Sequence, residues 1–376
     1  MSGRAWPIAR IYGIEIRIHW SWIPVLALVT FATTIELGSV APDSIVATRW
    51  LAGGLLGLLF LVSIIAHELA HSIVAKRRGL AVLPITIVFF GGIASLDQEA
   101  PTPADEAAIA VAGPLVSLTL GAVLVGIGFA IADPVPAIAL GTAAVGGVNV
   151  LLGAINLLPG LPLDGGRVLR AIVWKRTGDP RRGTRVAAQV GRGVGAVGIG
   201  AGLVVSLLGD GTTGVIVLVS GWFLLQGARS MDRRVLIEEL LDGVQVGEVM
   251  EKSAASVTPN LTVDTFADQL LGDPEATSLP VISGDALIGI IGASQLRRIA
   301  RRKWSGLRAA DVMTARPSLP MLGVADDLWS GLEALRRTGL DGLPVMAGSV
   351  LEGILTRRAV AMAIQARASK AGAAIR

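Results

Sequence analysis

Long stretches with few or no charged side chains recur through the first part of this 376-residue chain. A helix needs about 17–25 apolar residues to cross the hydrocarbon core of a bilayer, and a soluble fold does not require such stretches repeatedly. The chain therefore predicts a polytopic α-helical membrane domain of about six transmembrane helices. The stretches are residues 18–35, 51–75, 107–131, 134–163, 193–208 and 211–228, of which the fifth is expected to begin before Arg192.

The distribution of charge predicts a second, soluble part. Only 16% of the residues are charged, against about 25% in soluble domains. Residues 1–229 hold 28 of the charged side chains, and the much shorter stretch 230–376 holds 34. We therefore expect a transmembrane domain over residues 1–230, followed by a soluble region. The absence of cysteine excludes disulfides and thiolate metal ligands.

Basic residues flank the predicted helices on alternate connections. The opposite connections contain a single Lys or Arg, Arg49. By the positive-inside rule both termini are cytoplasmic, which predicts a multi-pass protein of the cell inner or plasma membrane. The net charge of +4 then reflects topology and contact with the lipid bilayer, so no nucleic-acid partner is predicted. The flanking groups are Arg4, Arg10 and Arg17; Lys76, Arg77 and Arg78; Arg167, Arg170, Lys175, Arg176, Arg181, Arg182 and Arg185; and Arg229, Arg233 and Arg234.

Residues 83–96, between the second and third helices, form an apolar, β-branched segment broken by Gly91 and Gly92. The segment is too short to cross the membrane and return as two helices. It therefore predicts a short β-hairpin or a re-entrant segment. An exposed strand edge there would be able to pair with an unwound substrate main chain, and we expect that role for the strand containing Ile87 and Val88.

The second predicted helix contains a His-Glu-x-x-His pattern at His67, Glu68 and His71. Residues four apart share a helix face, so both imidazoles can bind one metal ion. Glu68, about 100° further round the helix, can approach a water at that ion as a general base. Chance gives this pattern in roughly one chain in two thousand of this composition. The alternative is two helix-packing histidines beside a stray carboxylate, which the cost of ionisable groups in lipid disfavours.

A catalytic zinc usually has three protein ligands, so a third must come from elsewhere in the chain. The candidate is Asp164, which closes the fourth uncharged stretch just before Arg167. Its expected depth is similar to that of His71, because both lie near basic residues at the cytoplasmic side. An N-cap of the helix that begins near Gly166 is the alternative role for Asp164, and the two roles are compatible.

The motifs at residues 67–71, 156–159 and 164–165 together resemble the site-2 protease family of intramembrane zinc metalloproteases. Residues 18–22 and 163–167 are similar to the bacterial branch that carries a C-terminal CBS pair, which includes sporulation proteases and mycobacterial relatives. The resemblance extends over essentially the whole chain. It implies substrates such as anti-sigma factors or membrane-bound transcription-factor precursors.

The resemblance also implies roles for individual residues. His67, His71 and Asp164 would bind one Zn²⁺ per chain, Glu68 would be the catalytic base, and Asn156 would contact substrate near the metal. The remaining histidine of the chain is His19. We expect it to be an interfacial residue beside two tryptophans, with an auxiliary ligand or a substrate gate as the alternative.

Residues 244–303 and 307–368 are two copies of one repeat. Residues 249–250 match 312–313 at an offset of 63, and residues 279–281 match 343–345 at an offset of 64. Each copy predicts the order strand, helix, strand, strand, helix. Together the copies resemble a pair of CBS domains, so an α/β tandem CBS domain is expected after the membrane domain.

CBS pairs often bind adenine nucleotides, and the resemblance implies a pattern for this. A Ser or Thr follows the second strand, and an Asp three residues later holds the ribose hydroxyls. Gly292 and Gln295 stand at these positions in the first copy, and Thr356 and Ala359 in the second. Because both carboxylates are missing, no nucleotide-binding residue is predicted. We expect a dimerising or regulatory module with weak or no nucleotide binding, and a homodimer formed through the CBS pair.

The leading interpretation is an intramembrane zinc metalloendopeptidase of the site-2 protease type. It would cut within or next to transmembrane segments of membrane-tethered regulators, which is regulated intramembrane proteolysis. The alternative is a CBS-regulated membrane ion transporter or channel that uses Glu68 and Asp164; a third class is a non-catalytic receptor or scaffold. The transporter interpretation explains the carboxylates and the CBS pair, but it does not explain the spacing of the histidines.

Overall fold

The computed structural model describes residues 5–40, 42, 45–88, 91–93, 99–133, 136–252, 255–272, 277–370 and 372. The chain divides into two compact units, Met1–Val235 and Leu236–Arg376. The first unit is built on long apolar helices, and the second on small sheets covered by short helices.

Six helices in the described part of the chain are long and apolar enough to cross a membrane. The predicted polytopic helical membrane domain is therefore confirmed. A seventh, shorter helix, which follows the fourth long one, carries Asp164. In chain order the helices are α1 (Trp22–Val40), α2 (Val46–Arg77), α3 (Pro103–Ala130), α4 (Pro136–Asn156), α5 (Asp164–Thr177), α6 (Pro180–Leu207) and α7 (Gly211–Leu241).

The helices extend beyond the uncharged stretches because local start signals determine where they begin. Asp179 caps α6 by accepting a hydrogen bond from the backbone N–H of Arg181 at 2.8 Å, and Pro180 occupies the first helical position. The same arrangement opens α3 at Thr102 and Pro103. A side-chain acceptor followed by proline is a favourable helix start. The fifth span therefore begins at Pro180, before Arg192, as predicted.

A four-stranded sheet accompanies these helices. Its strands are β1 (Ala5–Ile11), β2 (Ile14–His19), β3 (Ile85–Val88) and β4 (Gly91–Ile93), and they pair in that order. β1 and β2 form an antiparallel hairpin, β2 pairs parallel to β3, and β3 pairs antiparallel to β4. The β-hairpin expected between the second and third helices is therefore present.

Two details of the sequence interpretation are wrong. Ile18 and His19 belong to β2 rather than to the first helix, which begins at Trp22. The alternation of apolar and polar residues in β2 runs directly into the apolar stretch, which concealed the boundary. Ile87 and Val88 lie in β3, between β2 and β4, so among the described strands β4 is the edge strand on this side.

The sheet packs against α2 just before the His-Glu-x-x-His pattern. Isoleucines of β2 and β3 share one buried cluster with apolar residues of α1 and α2. Ile64 lies one turn before His67, and Leu69 and Ile73 further along α2 also pack against this cluster, so the sheet supports the part of α2 that carries the histidines. The buried members are Ile14, Trp22, Leu61, Ile64, Ile85 and Ile87.

A tight loop positions the start of α5. The loop backbone lies so close to α5 and α6 that only glycine fits at two positions. A Cβ on Gly166 would lie 2.2 Å from a backbone atom of Gly160, and a Cβ on Gly191 would lie 2.0 Å from the Leu161 carbonyl oxygen. The Leu161 N–H also donates to Ala187 of α6 at 3.0 Å. These contacts hold Asp164, the first residue of α5, in one place.

The second unit contains two three-stranded sheets. One has the order β5-β6-β7 and the other the order β10-β9-β8. The strands are β5 (Ser278–Ser283), β6 (Ala286–Gly292), β7 (Thr314–Ala315), β8 (Leu322–Gly323), β9 (Gly342–Ala347) and β10 (Val350–Thr356). The helices are α8 (Val246–Val249), α9 (Val263–Gly272), α10 (Ala293–Leu296), α11 (Ala309–Val312), α12 (Leu328–Thr338) and α13 (Arg357–Lys370).

The second copy of the repeat follows the predicted order through β8, α12, β9, β10 and α13. The first copy departs from it at both ends. Its first strand is reduced to a single bridge between Val257 and Val281, and its last helix, α10, has only four residues. A 3-10 turn at Arg301–Gly306 takes the place of a longer helix. Two buried clusters form around Phe266 and Leu328, and each combines residues of both copies: Val246 of the first copy joins the Leu328 cluster, and Ala309 of the second joins the Phe266 cluster.

Candidate metal centre

Helix α2 places His67 and His71 on one face, as their spacing predicts. Both side chains are buried, with relative exposures of 5% and 8%. Their Nε2 atoms lie 3.3 Å apart, and the two rings meet nearly edge to face at 79°. Two ring nitrogens at this distance can bind the same ion.

Asp164 completes the group. Its Oδ2 atom lies 3.4 Å from Nε2 of His67 and 3.2 Å from Nε2 of His71. Asp164 is the first residue of α5, and the N-cap is Leu163, whose side chain makes no capping bond. The N-cap role considered for Asp164 is therefore wrong, and its carboxylate faces the histidines instead.

Helix α3 orients both imidazoles from behind. Nδ1 of His71 donates to the carbonyl oxygen of Ile109 at 2.7 Å, and Nδ1 of His67 lies 2.9 Å from the Ser117 hydroxyl. With its proton on Nδ1, a neutral His71 presents the lone pair of Nε2 to the centre. Partners of this kind fix the tautomer and ring orientation of metal-binding histidines.

Glycine at position 113 of α3 keeps the centre accessible. A Cβ there would lie 2.2 Å from Nε2 of His71 and 2.8 Å from Nε2 of His67. Any other side chain would therefore enter the space shared by the ligand atoms. The lack of a side chain at Gly113 therefore leaves room for a metal ion beside the two imidazoles.

The donor set and its dimensions fit zinc. The ligand atoms of His67, His71 and Asp164 all lie within 4.8 Å of one another, and the three closest pairs span 3.2 to 3.4 Å. Tetrahedral zinc with bonds of about 2.0–2.1 Å separates its nitrogen and oxygen ligands by about 3.3 Å. Two imidazoles and one carboxylate also leave a fourth position for water or substrate.

The other predicted site residues lie in different surroundings. Glu68 is half-buried on α2, next to His67. Asn156 is the last residue of α4, and its amide donates to the Leu152 carbonyl at 3.0 Å. His19 caps the turn before α1 through Ser21, with Nδ1 2.8 Å from the Ser21 hydroxyl, and it is outside the metal-capable group found among the described residues.

Sequence reasoning missed a buried ion pair that joins α3 to α5. Glu106 is 2% exposed, and Arg167 donates to both of its carboxylate oxygens, at 3.0 and 3.4 Å. Arg170 lies 3.6 Å from the same carboxylate. Burial acts to lower the pKa of Arg167, but Glu106 reverses this and leaves that pKa above its ordinary value. Arg167 had been interpreted only as a topology signal.

The ion pair connects the two helices that support the centre. Arg167 lies one turn after Asp164 on α5, and Glu106 lies one turn before Ile109 on α3. Helix α5 therefore carries the carboxylate of Asp164, and helix α3 carries the carbonyl group that accepts the hydrogen bond of His71. A buried carboxylate at the start of a membrane helix is costly unless it is paired, and this cost was the signal available in the sequence.

Two buried imidazoles and a carboxylate that could hold a metal ion lie in a unit of membrane-capable helices, and comparison with known proteins gives the class of protein. Peptidase family M50 matches residues 55–144 and 137–197, and the CBS domain family matches residues 246–302. The chain is 34% identical over 362 residues to Rip3 of Mycobacterium tuberculosis, covering 95% of this chain and 92% of that protein. It is 32% identical to sll0528 of Synechocystis, covering 96% of each. The names of both relatives describe zinc metalloproteases.

The chain therefore belongs to Peptidase family M50. It is a zinc metalloendopeptidase of the site-2 protease type, a multi-pass membrane protein with a CBS domain. Among solved structures it is similar to the site-2 protease from Methanocaldococcus jannaschii, at 28% identity and a TM-score of 0.39, covering 61% of this chain and 95% of that one.

Proposed function

We propose that His67, His71 and Asp164 hold one Zn²⁺ per chain and that Glu68 is the catalytic base of peptide hydrolysis. The observation that carries this proposal is the convergence of two Nε2 atoms and one carboxylate oxygen within 4.8 Å. Zinc bound there supplies Lewis-acid polarisation of the scissile carbonyl and makes water acidic enough to attack near neutral pH.

The protein's own residues do the remaining work. The Glu68 carboxylate accepts a proton from the attacking water and returns it to the leaving amine. The Ile109 carbonyl and the Ser117 hydroxyl keep the imidazoles in the ligating orientation. The paired helices α3 and α5 exclude bulk water from one side of the centre, because Gly113 lets α3 lie directly against the imidazoles.

Two further elements are proposed to bind the substrate. Asn156 lies at the end of α4, eight residues before Asp164, and its amide group can hydrogen-bond to a substrate main chain. The edge of β4 can accept an extended substrate segment by strand addition. An extended segment is needed because the peptide bonds of an intact helix are hydrogen-bonded internally and shielded from attack.

The substrate class and the setting follow from the same proposal. The substrates are transmembrane proteins, cleaved within or next to their membrane-spanning segments. We propose membrane-tethered regulators such as anti-sigma factors or transcription-factor precursors. The basic connections favour cytoplasmic N and C termini in an inner or plasma membrane. The CBS pair is proposed to join two chains as a homodimer.

The ion-transporter alternative is weaker. It assigns Glu68 and Asp164 to ion binding, but it leaves unexplained why Asp164 faces two imidazoles at 3.2 and 3.4 Å. It also provides no role for a glycine against both rings. Membership of a peptidase family argues in the same direction.

A comparison of Glu68→Gln with native protein tests the function. The substitution preserves size and metal ligands but removes the base, so we expect cleavage to be abolished while zinc content is retained. The measurement is the profile of membrane-derived peptides from cells that express each form. Glu36→Gln, at an exposed position of α1, is the matched control and should behave as native. Normal turnover by the Glu68→Gln protein would refute the mechanism.

A further inference from the structure

Five basic side chains of the second unit have no part in the proposed chemistry. Arg297, Arg298, Arg301, Arg302 and Lys303 lie within seven consecutive residues, and all five are exposed. These five residues are the basic patch. The patch lies on the segment after α10, including the 3-10 turn at Arg301–Gly306.

The patch stands out from its own unit in charge. Residues 236–376 contain 15 Lys and Arg against 16 Asp and Glu, so the unit is nearly neutral. No acidic residue occurs between Asp285 and Asp311. A third of the basic residues are therefore concentrated in one short segment without acidic neighbours in sequence.

Among the described residues, neighbours in space neutralise little of the patch. Arg298, Arg302 and Lys303 make no side-chain hydrogen bond or ion pair with any described residue, and Arg297 reaches Asp341 only at 3.9 Å. Trp304 donates to the Ile299 carbonyl at 3.2 Å, which fixes the turn beneath the charges. The result is an ordered surface with at least three unpaired cations within the described part of the chain.

We propose that the basic patch binds anionic phospholipid headgroups. Clusters of about 4–8 Lys and Arg next to a membrane segment are typical of such surfaces, and this patch has that size, although it begins 56 positions after Leu241, the last residue of α7. The chain enters this unit along α7, a helix able to cross a membrane, so the patch is tethered to a bilayer and meets lipid at a high effective concentration. Four of the five residues are arginines, whose planar guanidinium groups bind phosphate in a bidentate manner.

A nucleic acid fits the patch less well. Proteins that bind single strands combine basic grooves with aromatic rings on which bases stack. The sequence of residues 297–306 has a single aromatic ring, Trp304, which is half-buried and has Arg301 over it at 5.8 Å. Lipid binding by the patch is independent of the proposed peptidase activity, because the patch lies in the second unit and the test needs no peptide substrate.

The absence of cysteine makes a direct test possible. Ser305→Cys, at an exposed position beside the patch, gives a unique site for a donor fluorophore. The labelled full-length protein is placed in nanodiscs of phosphatidylcholine alone, or of phosphatidylcholine with phosphatidylglycerol, each containing an acceptor-labelled lipid. We expect energy transfer to be higher in the anionic discs. It should return to the neutral-disc value at about 1 M salt, where the Debye length is about 3 Å.

Two triple variants separate the patch from general charge. Each basic residue near an anionic surface favours binding about fivefold, so Arg298→Gln with Arg302→Gln and Lys303→Gln should reduce lipid association about a hundredfold and abolish the increase. The matched control removes three exposed basic residues elsewhere in the unit, at Arg316, Arg336 and Lys370, and should keep it. Two results would overturn the proposal: energy transfer that is the same in neutral and anionic discs, or the same energy transfer in both triple variants. A third contrary result would be a fluorescence change of the label on addition of an RNA oligonucleotide, together with no difference in energy transfer between neutral and anionic discs.

Discussion

In the membrane unit, polar atoms of three residues converge at 3.2 to 3.4 Å, whereas in the CBS pair the corresponding candidate positions are satisfied by the chain itself. Gln295 accepts a hydrogen bond from the Gly292 N–H at 3.0 Å and donates to the Thr314 hydroxyl at 3.0 Å. The first arrangement could hold a metal ion. In the second, the side chain of Gln295 already has partners within the chain.

In the second copy of the repeat, the candidate side chain is also hydrogen-bonded within the chain. Thr356 is fully buried, donates to a Glu251 carboxylate oxygen at 2.5 Å, and accepts from the N–H of Ala359 at 3.1 Å. Its hydroxyl is therefore already used on both sides. The comparison teaches that a motif resemblance indicates a working site only where the polar groups remain available to a ligand.

The largest expected effect comes from removing a ligand in the membrane unit. His71→Ala or Asp164→Asn should remove zinc and lower cleavage by about 10³-fold or more, since the metal supplies several kcal/mol of stabilisation. Zinc per chain, measured by elemental analysis, and cleavage of a transmembrane peptide check this. His19→Ala is the control and should retain both properties. A His71→Ala protein with one zinc per chain and native turnover would contradict the ligand assignment.

A smaller effect is expected at Gly113, where the chain leaves room for the centre. Gly113→Ala places a methyl group 2.2 Å from Nε2 of His71, so zinc affinity should fall on the order of 10–100-fold, the range for disturbed ligand orientation. Gly126→Ala lies on the same helix with no atom within 4 Å of its Cβ and is the matched control. Competition with a zinc chelator measures the affinity. Equal affinities in the two variants would show that α3 does not shape the centre.

The Glu106–Arg167 pair should have a more modest influence. Glu106→Gln leaves Arg167 without its charged partner, and an unmet charged hydrogen bond costs about 1.5–3 kcal/mol. We expect a lower melting temperature in detergent and about a tenfold loss of zinc affinity, because α5 then holds Asp164 less firmly. The double variant Glu106→Gln with Arg167→Gln should be less destabilised than Glu106→Gln alone. A double variant that is worse would mean that the two residues do not act as a pair.

Much of the membrane unit could be predicted because its signals are local. Uncharged length marked six helices, and a spacing of four placed His67 and His71 on one face. Asp164 could be proposed only by resemblance and by depth, since nothing local connects it to residues almost a hundred positions earlier. The support of the two imidazoles by Ile109, Gly113 and Ser117 was not predicted, because these residues contact the imidazoles only through the packing of α3 on α2.

The sheet and the CBS pair show a different limit. β1 and β2 were missed because their short alternating pattern joins directly to an apolar helix, and the place of β3 inside the sheet depends on a parallel pairing with β2 that no local pattern encodes. Glu251 is far from Thr356 in sequence, so its hydrogen bond to the hydroxyl was equally invisible. Long-range pairing is therefore what the sequence did not provide in either unit.

The smallest expected effect is an absence of nucleotide response in the CBS pair. At the two positions where the resemblance implies a ribose carboxylate, Gln295 makes local hydrogen bonds and Ala359 offers no side-chain acceptor. A charged hydrogen bond contributes about 1.5–3 kcal/mol, so each missing carboxylate weakens a site by roughly 10- to 100-fold. We expect no binding of ATP or AMP tighter than about millimolar. Isothermal titration of the full-length protein measures this affinity. A second titration uses Glu251→Ala, in which the Thr356 hydroxyl has lost its carboxylate acceptor. We expect no nucleotide binding by that variant either. Saturable micromolar binding by the native protein would mean that the self-satisfied hydrogen bonds open for a ligand, and the contrast between the two units would then fail.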